Sequence, residues 1–126
     1  MKVSQIMKKA YVIDYNNSLK QVAKLMSNKK IGGVIVIKNN KIVGIVTEKD
    51  IISNISKINS PVEKIMTKKI VSVSPNEDSS KAVEIMFNNK IKRLAVIEKG
   101  NLVGLIRLTD LIGKLDSTGE EDFLFN

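Results

Sequence analysis

The chain contains neither cysteine nor histidine. Without thiols there is no disulfide frame, no cysteine nucleophile and no thiolate metal ligand. Without imidazole, the Ser-His and Cys-His couples, the usual zinc spacings and the side chain that titrates nearest neutral pH are missing as well. No two of the remaining titratable groups form a recognisable acid–base or nucleophile–base pair, so the sequence predicts a protein that is not an enzyme and holds no metal or cofactor. The lack of cysteine also fits the reducing cytoplasm. Aromatic residues make up 4% of the chain and tryptophan is absent, which leaves no platform for stacking unpaired bases. The longest apolar run, Val34 to Ile37 with its glycine neighbours, falls far short of the ~20 residues that cross a bilayer. The opening MKVSQIMKKA has no apolar signal region. These absences predict a soluble, cytoplasmic protein with no membrane partner.

What is present is enough for one sizeable core, or for two small halves sharing an interface: 126 residues, 43% of them apolar. The formal net charge is +8. Clustered Lys and Arg would suit a nucleic-acid backbone, but here the lysines are scattered along helices and turns in a chain rich in Ile and Asn, the pattern of a solvated surface. Nucleic acid is therefore not the expected partner, and it stands as one rival reading beside a purely structural dimerisation module with empty clefts.

The strongest signal is an internal repeat. MSNKKIGGVIVIKNNKIVGIVTEKDII, from Met26, aligns without gaps on MFNNKIKRLAVIEKGNLVGLIRLTDLI, from Met86. The pairs Asn28/Asn88, Lys30/Lys90, Ile31/Ile91, Val36/Val96, Gly44/Gly104 and Asp50/Asp110 are identical, and upstream VSQIM (Val3–Met7) answers VEKIM (Val62–Met66). Leu19, Val22, Ala23 and Met26 follow helical spacing, as do Ser79, Ala82, Val83 and Met86, so each half has an amphipathic helix. Asn17 or Ser18 and Asp78 are the N-cap candidates. Val34 to Ile37 is a β-branched run suited to a strand covered on both faces. Asn39-Asn40 and Lys99-Gly100 tolerate positive φ and suit tight hairpins. Ile42 to Val46 is the next strand, followed by a short helix over about 48–54, and Tyr11 to Ile13 opens the half. Each half reads β-α-β-β-α, giving a mixed α/β fold: residues 1–55 and 62–115 as repeats, 56–61 as connection and 116–126 as tail. About 55 residues make a marginal core, so the halves are expected to pack together about a pseudo-twofold axis. The recurring Met7, Met26, Met66 and Met86 are expected in the core.

Thr47-Glu48-Lys49-Asp50 admits two readings. In one it is a capping box, with Thr47 as cap and Asp50 returning a hydrogen bond from the first turn. The second half strains this, because Arg107 stands where Thr47 does while Asp110 keeps its place; Thr109, capping one turn later, would rescue it. In the other reading the helix start, a hydroxyl or guanidinium, and a carboxylate that accepts from vicinal hydroxyls form a site for a nucleoside with a polar tail.

These features resemble the cystathionine-β-synthase (CBS) domain pair, or Bateman module, from Val3 to about Leu115: VSQIM and VEKIM, the LKQVAKLM and SKAVEIM helices, the KIGGVIVI and KIKRLAVI strands, and the endings around Asp50 and Asp110. The resemblance implies a homodimer of paired repeats. It also implies an adenosine-containing ligand, AMP, ADP, ATP or S-adenosylmethionine, sensed on behalf of an attached or partner protein. It places the ribose on Asp50 and the phosphate by Thr47, with Lys49 beside them and Lys69, Val71, Ile91 and Lys92 taking the base. A mirror site would use Asp110 and Thr109 with Lys9, Tyr11, Ile31 and Gly32. Arg107 in that second site implies either a more anionic ligand or none. With no attached enzyme, channel or DNA-binding domain expected, the chain would be a stand-alone module. Its tail, DSTGEEDFLFN, is read as disordered or as a docking segment ending in Phe-Leu-Phe.

Overall fold

The first amphipathic helix, α1 (Leu19–Lys29), buries Leu19, Val22 and Met26, as its spacing predicts. Its start satisfies all four amides that an isolated helix leaves unpaired. Leu19 N–H donates to the Ser60 carbonyl (2.9 Å) and Lys20 N–H to that of Ile58 (2.8 Å). Gln21 N–H donates to Ser18 Oγ (3.1 Å), and Gln21 Oε1 accepts from Ser18 N–H (2.7 Å), completing a capping box. The connection after the first repeat is thus pinned to this helix start. The helix ends at Lys30 in the left-handed region, φ 56°, a position usually given to glycine.

These observations come from a computed structural model that describes residues 1–115; the tail lies outside the described residues. The chain divides into two compact units, Tyr11–Ile70 and Met1–Ala10 with Val71 onward. In the first, strand β1 (Val12–Asp14) pairs in parallel with β2 (Gly33–Lys38), and β2 pairs antiparallel with β3 (Lys41–Thr47). The helix α2 (Glu48–Ser53) follows. The second unit repeats the pattern: β4 (Ser72–Val73), α3 (Ser79–Asn89), β5 (Arg93–Glu98), β6 (Asn101–Arg107) and α4 (Leu108–Leu115), with sheet order β4-β5-β6. The β-α-β-β-α order read from the sequence therefore holds in both, and the fold is mixed α/β. The opening strand sits one residue later than its pattern suggested.

Central strand β2 is buried from Gly33 to Val36, which is why it carries no polar alternation. The hairpin turns have positive φ at both central residues, 52° and 64° at Asn39-Asn40 and 51° and 80° at Lys99-Gly100, the twist that two-residue hairpins require. Both hairpins also carry a bulge. Val36 pairs with Gly44 and Ile37 with Ile42, leaving Val43 extra; in the second sheet Val96 and Ile97 leave Val103 extra in the same way.

Sequence repeats and packed units do not coincide. Val3 and Ile6 belong to the core of the second unit, with Ala82, Met86, Leu94, Val96, Ile106 and Leu111. Val62 and Met66 belong to the core of the first, with Leu19, Val22, Met26, Val34 and Val46. Each VxxIM segment fills the core built by the other repeat's strands and helices. Backbone bonds hold the exchange: Val3 N–H to Glu77 O (2.9 Å) on one side, Val62 N–H to Asn17 O (2.7 Å) on the other. Met26, Met66 and Met86 are buried as expected.

Candidate functional site

The glycine of the GIVT segment sets the geometry of the first site. A Cβ on Gly44 would lie 2.5 Å from Met66 Sδ and 3.0 Å from the Thr67 carbonyl, so only glycine lets the incoming segment lie flat against β3. Ile45 and Thr67 then exchange two backbone hydrogen bonds, 3.0 and 2.9 Å. This covers the outer edge of β3 and fixes Thr67 close to the start of α2.

Asp50, in the first turn of α2, turns back toward that start. Its Oδ2 accepts the Thr47 N–H (2.9 Å) and the Thr47 hydroxyl (3.3 Å), while Oδ1 accepts the Thr67 hydroxyl (3.4 Å). The acid half of the capping box is thus formed, and the rest of the carboxylate faces hydroxyl donors. Glu48 N–H donates to the Gly32 carbonyl (3.2 Å), which ties the approach to β2 to the helix start. Thr67 is exposed, whereas Thr47 and Asp50 are half-buried.

The second unit keeps the backbone and changes the chemistry. Leu108 N–H donates to the Lys92 carbonyl (2.8 Å), as Glu48 does to Gly32. Asp110 accepts the Arg107 N–H (3.2 Å), Nε (3.1 Å) and Nη2 (2.6 Å). The Asp110 side chain is 8% exposed and that of Arg107 42%. The Asp110 hydrogen bond, opposed by burial and aided by charge attraction, raises the Arg107 pKa above its ordinary value. The returning acid therefore works with Arg107 at the residue before the helix, and Thr109, the alternative cap, lies inside α4 rather than capping it. The reason is that the returning acid needs only a backbone N–H, which any residue but proline supplies. At the place of Thr67 in the first unit stands Lys8, which exchanges backbone bonds with Leu105 (2.8 and 2.9 Å). Gly104 makes room for it, since a Cβ there would lie 2.8 Å from Met7 Sδ.

Of the residues singled out from the sequence, Tyr11, Ile31, Gly32, Thr47, Lys49, Asp50 and Lys69 fall in the first unit. Lys9, Val71, Ile91, Lys92, Arg107, Thr109 and Asp110 fall in the second. The structure brings Gly32, Thr47 and Asp50 together at one helix start, and Lys92, Arg107 and Asp110 at the other. Tyr11 offers its carbonyl to Ile35 N–H (2.9 Å) and its ring to Lys29 Nζ, 5.9 Å from the centroid. Val71 is half-buried against the second core, and Lys9, Lys49, Lys69 and Thr109 are exposed. Thr67 was missed. Nothing local marks it, since its role depends on the exchanged segment. Among the described residues no three His, Cys, Asp or Glu side chains form a metal-holding group, and no helix is long and apolar enough to cross a membrane.

Comparison with known proteins agrees with this architecture. The family profile described as CBS domain matches residues 3–57 and 62–117. An uncharacterised 17.7 kDa protein of Acidianus ambivalens is 40% identical over 115 residues, covering 87% of this chain and 70% of that one. Among solved structures, a CBS domain protein of Pyrobaculum aerophilum complexed with AMP superposes with a TM-score of 0.83 at 19% identity, covering 100% of both chains. A CBS domain pair in complex with 5′-methylthioadenosine and S-adenosyl-L-methionine superposes with a TM-score of 0.84 at 23% identity, over 92% of this chain and 98% of that one. At these identities the two structures speak to the fold.

Proposed function

Because the chain belongs to the CBS domain family, we propose that it is a non-catalytic regulatory module that takes an adenosine-containing ligand, with Asp50 as acceptor for the ribose hydroxyls. The observation that carries this reading is the surround of the Asp50 carboxylate: hydroxyl donors, Thr47 at 3.3 Å and Thr67 at 3.4 Å. A ligand diol can take over the outer of these bonds, because Thr67 is exposed and its bond is long. Each hydrogen bond from a ligand hydroxyl to a carboxylate contributes about 1.5–3 kcal/mol, or roughly 10- to 150-fold in affinity. The ligands held by the two structural relatives, AMP in one and two adenosyl sulfur compounds in the other, share the ribose and differ in the tail, in keeping with a ribose-centred site.

Thr47 and Lys49 would face the polar tail. The module would work as a cytoplasmic homodimer, passing ligand occupancy to a partner protein by favouring the conformation that binds better. Isothermal titration with AMP, ATP and S-adenosylmethionine tests this. Micromolar binding of at least one ligand, lost in Asp50→Ala, is expected. No heat from any of the three, with the protein folded, would return Asp50 to the role of a helix-start acid.

A further inference from the structure

The two acids do not have the same capacity. Around Asp50 the side-chain donors are neutral hydroxyls, at Thr47 and Thr67; at the corresponding places in the second unit stand two cations, Arg107 and Lys8. Building on the proposed role of Asp50, we infer that Arg107 closes the second position, so that the chain accepts one nucleoside through Asp50 and none through Asp110.

The geometry at Asp110 carries this. A carboxylate has about four lone-pair sites. Three at Asp110 are filled by the Arg107 backbone N–H, Nε and Nη2, at 3.2, 3.1 and 2.6 Å; three are filled at Asp50 too, so the difference lies in the donors and not in their number. The guanidinium grips both oxygens at once, the arrangement in which Arg–carboxylate pairs are strongest, and the acid is 8% exposed. For a ribose diol to bind there, two neutral hydroxyls would have to displace a bidentate cation from a nearly buried anion and leave that cation unpaired. At Asp50 the same diol replaces one exposed Thr hydroxyl 3.4 Å away. Lys8, whose backbone bridges to Leu105, stands where the first unit has Thr67, so the second position lacks that hydroxyl. The closed position is thus a difference in residue chemistry on a shared backbone, and Thr at both places would open it.

Binding stoichiometry decides the matter. AMP, ATP and S-adenosylmethionine are each titrated into the wild-type protein and into the Lys8→Thr/Arg107→Thr variant, with circular dichroism to verify folding. Should the double variant not fold, Arg107→Ser serves in its place. One site per wild-type chain and two in the folded variant are expected, an outcome that a merely structural role for Arg107 would not produce. Two sites per wild-type chain would overturn the inference while leaving the proposed role of Asp50 intact. One site in both proteins would show that something other than Arg107 closes the second position. An absence of heat in both would overturn the proposed function and this inference with it.

Discussion

Replacing Gly44 by alanine pits two known effects against each other. Alanine in a strand gains about 0.5–1 kcal/mol over glycine, because the unfolded chain has less freedom to lose. Against this, the new methyl would stand 2.5 Å from Met66 Sδ, 2.7 Å from Met66 Cγ and 3.0 Å from the Thr67 carbonyl oxygen. Met66 is 8% exposed within a filled core, so its sulfur has little room to retreat. The carbonyl oxygen accepts from Ile45 N–H at 3.0 Å and cannot move without lengthening that bond. Overpacking of this kind costs about 1–3 kcal/mol, so Gly44→Ala should destabilise by roughly 1–2 kcal/mol net. In urea, with a slope of about 1–3 kcal/mol per molar, the midpoint falls by about 0.5–1 M. Gly104→Ala should cost less, since its nearest contacts are 2.8 and 3.1 Å. Adding Met66→Ala to Gly44→Ala should be less damaging than the sum of the two single changes, because the clash is then gone. Urea melts followed by circular dichroism, with all four variants beside the wild type, provide the assay. An unchanged or raised midpoint for Gly44→Ala would refute the claim that the exchanged segment presses on β3.

Val3→Ala and Val62→Ala each remove two methyl groups from a fully buried side chain and should cost about 2 kcal/mol by transfer and cavity terms. Hydrogen exchange should locate the loss for Val3 in β5 and β6 and for Val62 in β2 and β3, the strands of the opposite repeat. Lys30→Gly and Lys90→Gly relieve left-handed backbone at φ 56° and 54° and should each stabilise by about 0.5–1 kcal/mol, the αL penalty less the entropy of glycine, as a rise in urea midpoint. Hydrogen bonds from the Ser80 hydroxyl and backbone hold the Asp78 carboxyl well below the usual range. Its stabilising share is complete above the ordinary value near 3.9 and is lost as pH falls through the depressed folded value. The stability gap between wild type and Asp78→Ala should therefore be full at pH 7 and narrow below about pH 4, as urea melts across that range would show.

The elements were legible in the chain because each rests on a local rule. Helical spacing marked α1 and α3, the pair Asn17-Ser18 and Asp78 marked their starts, with Ser18 the cap of the first, and Asn39-Asn40 marked the hairpin through its tolerance of positive φ. The exchange of the VxxIM segments was not legible, since Val3 and Ile6 show the same apolar spacing whichever core receives them. The bulges at Val43 and Val103 were hidden for a similar reason: valine suits a regular strand as well as a bulged one. At the candidate site, Asp50 and Asp110 stood out through the repeat. Thr67 did not, because it reaches Asp50 only across the bridge to Ile45. The hold of Arg107 on Asp110 depends on a side chain folding back along its own helix start, where sequence spacing permits the contact without requiring it.

The central claim is that the Asp50 carboxylate receives ribose hydroxyls, and the most direct test removes one hydroxyl from the ligand and leaves the protein untouched. Titrating the wild-type protein with AMP and with 2′-deoxy-AMP under identical buffer should show the deoxy compound binding about 10- to 150-fold more weakly, the worth of one hydroxyl–carboxylate hydrogen bond. Equal affinities for the two nucleotides in the wild type would contradict the account.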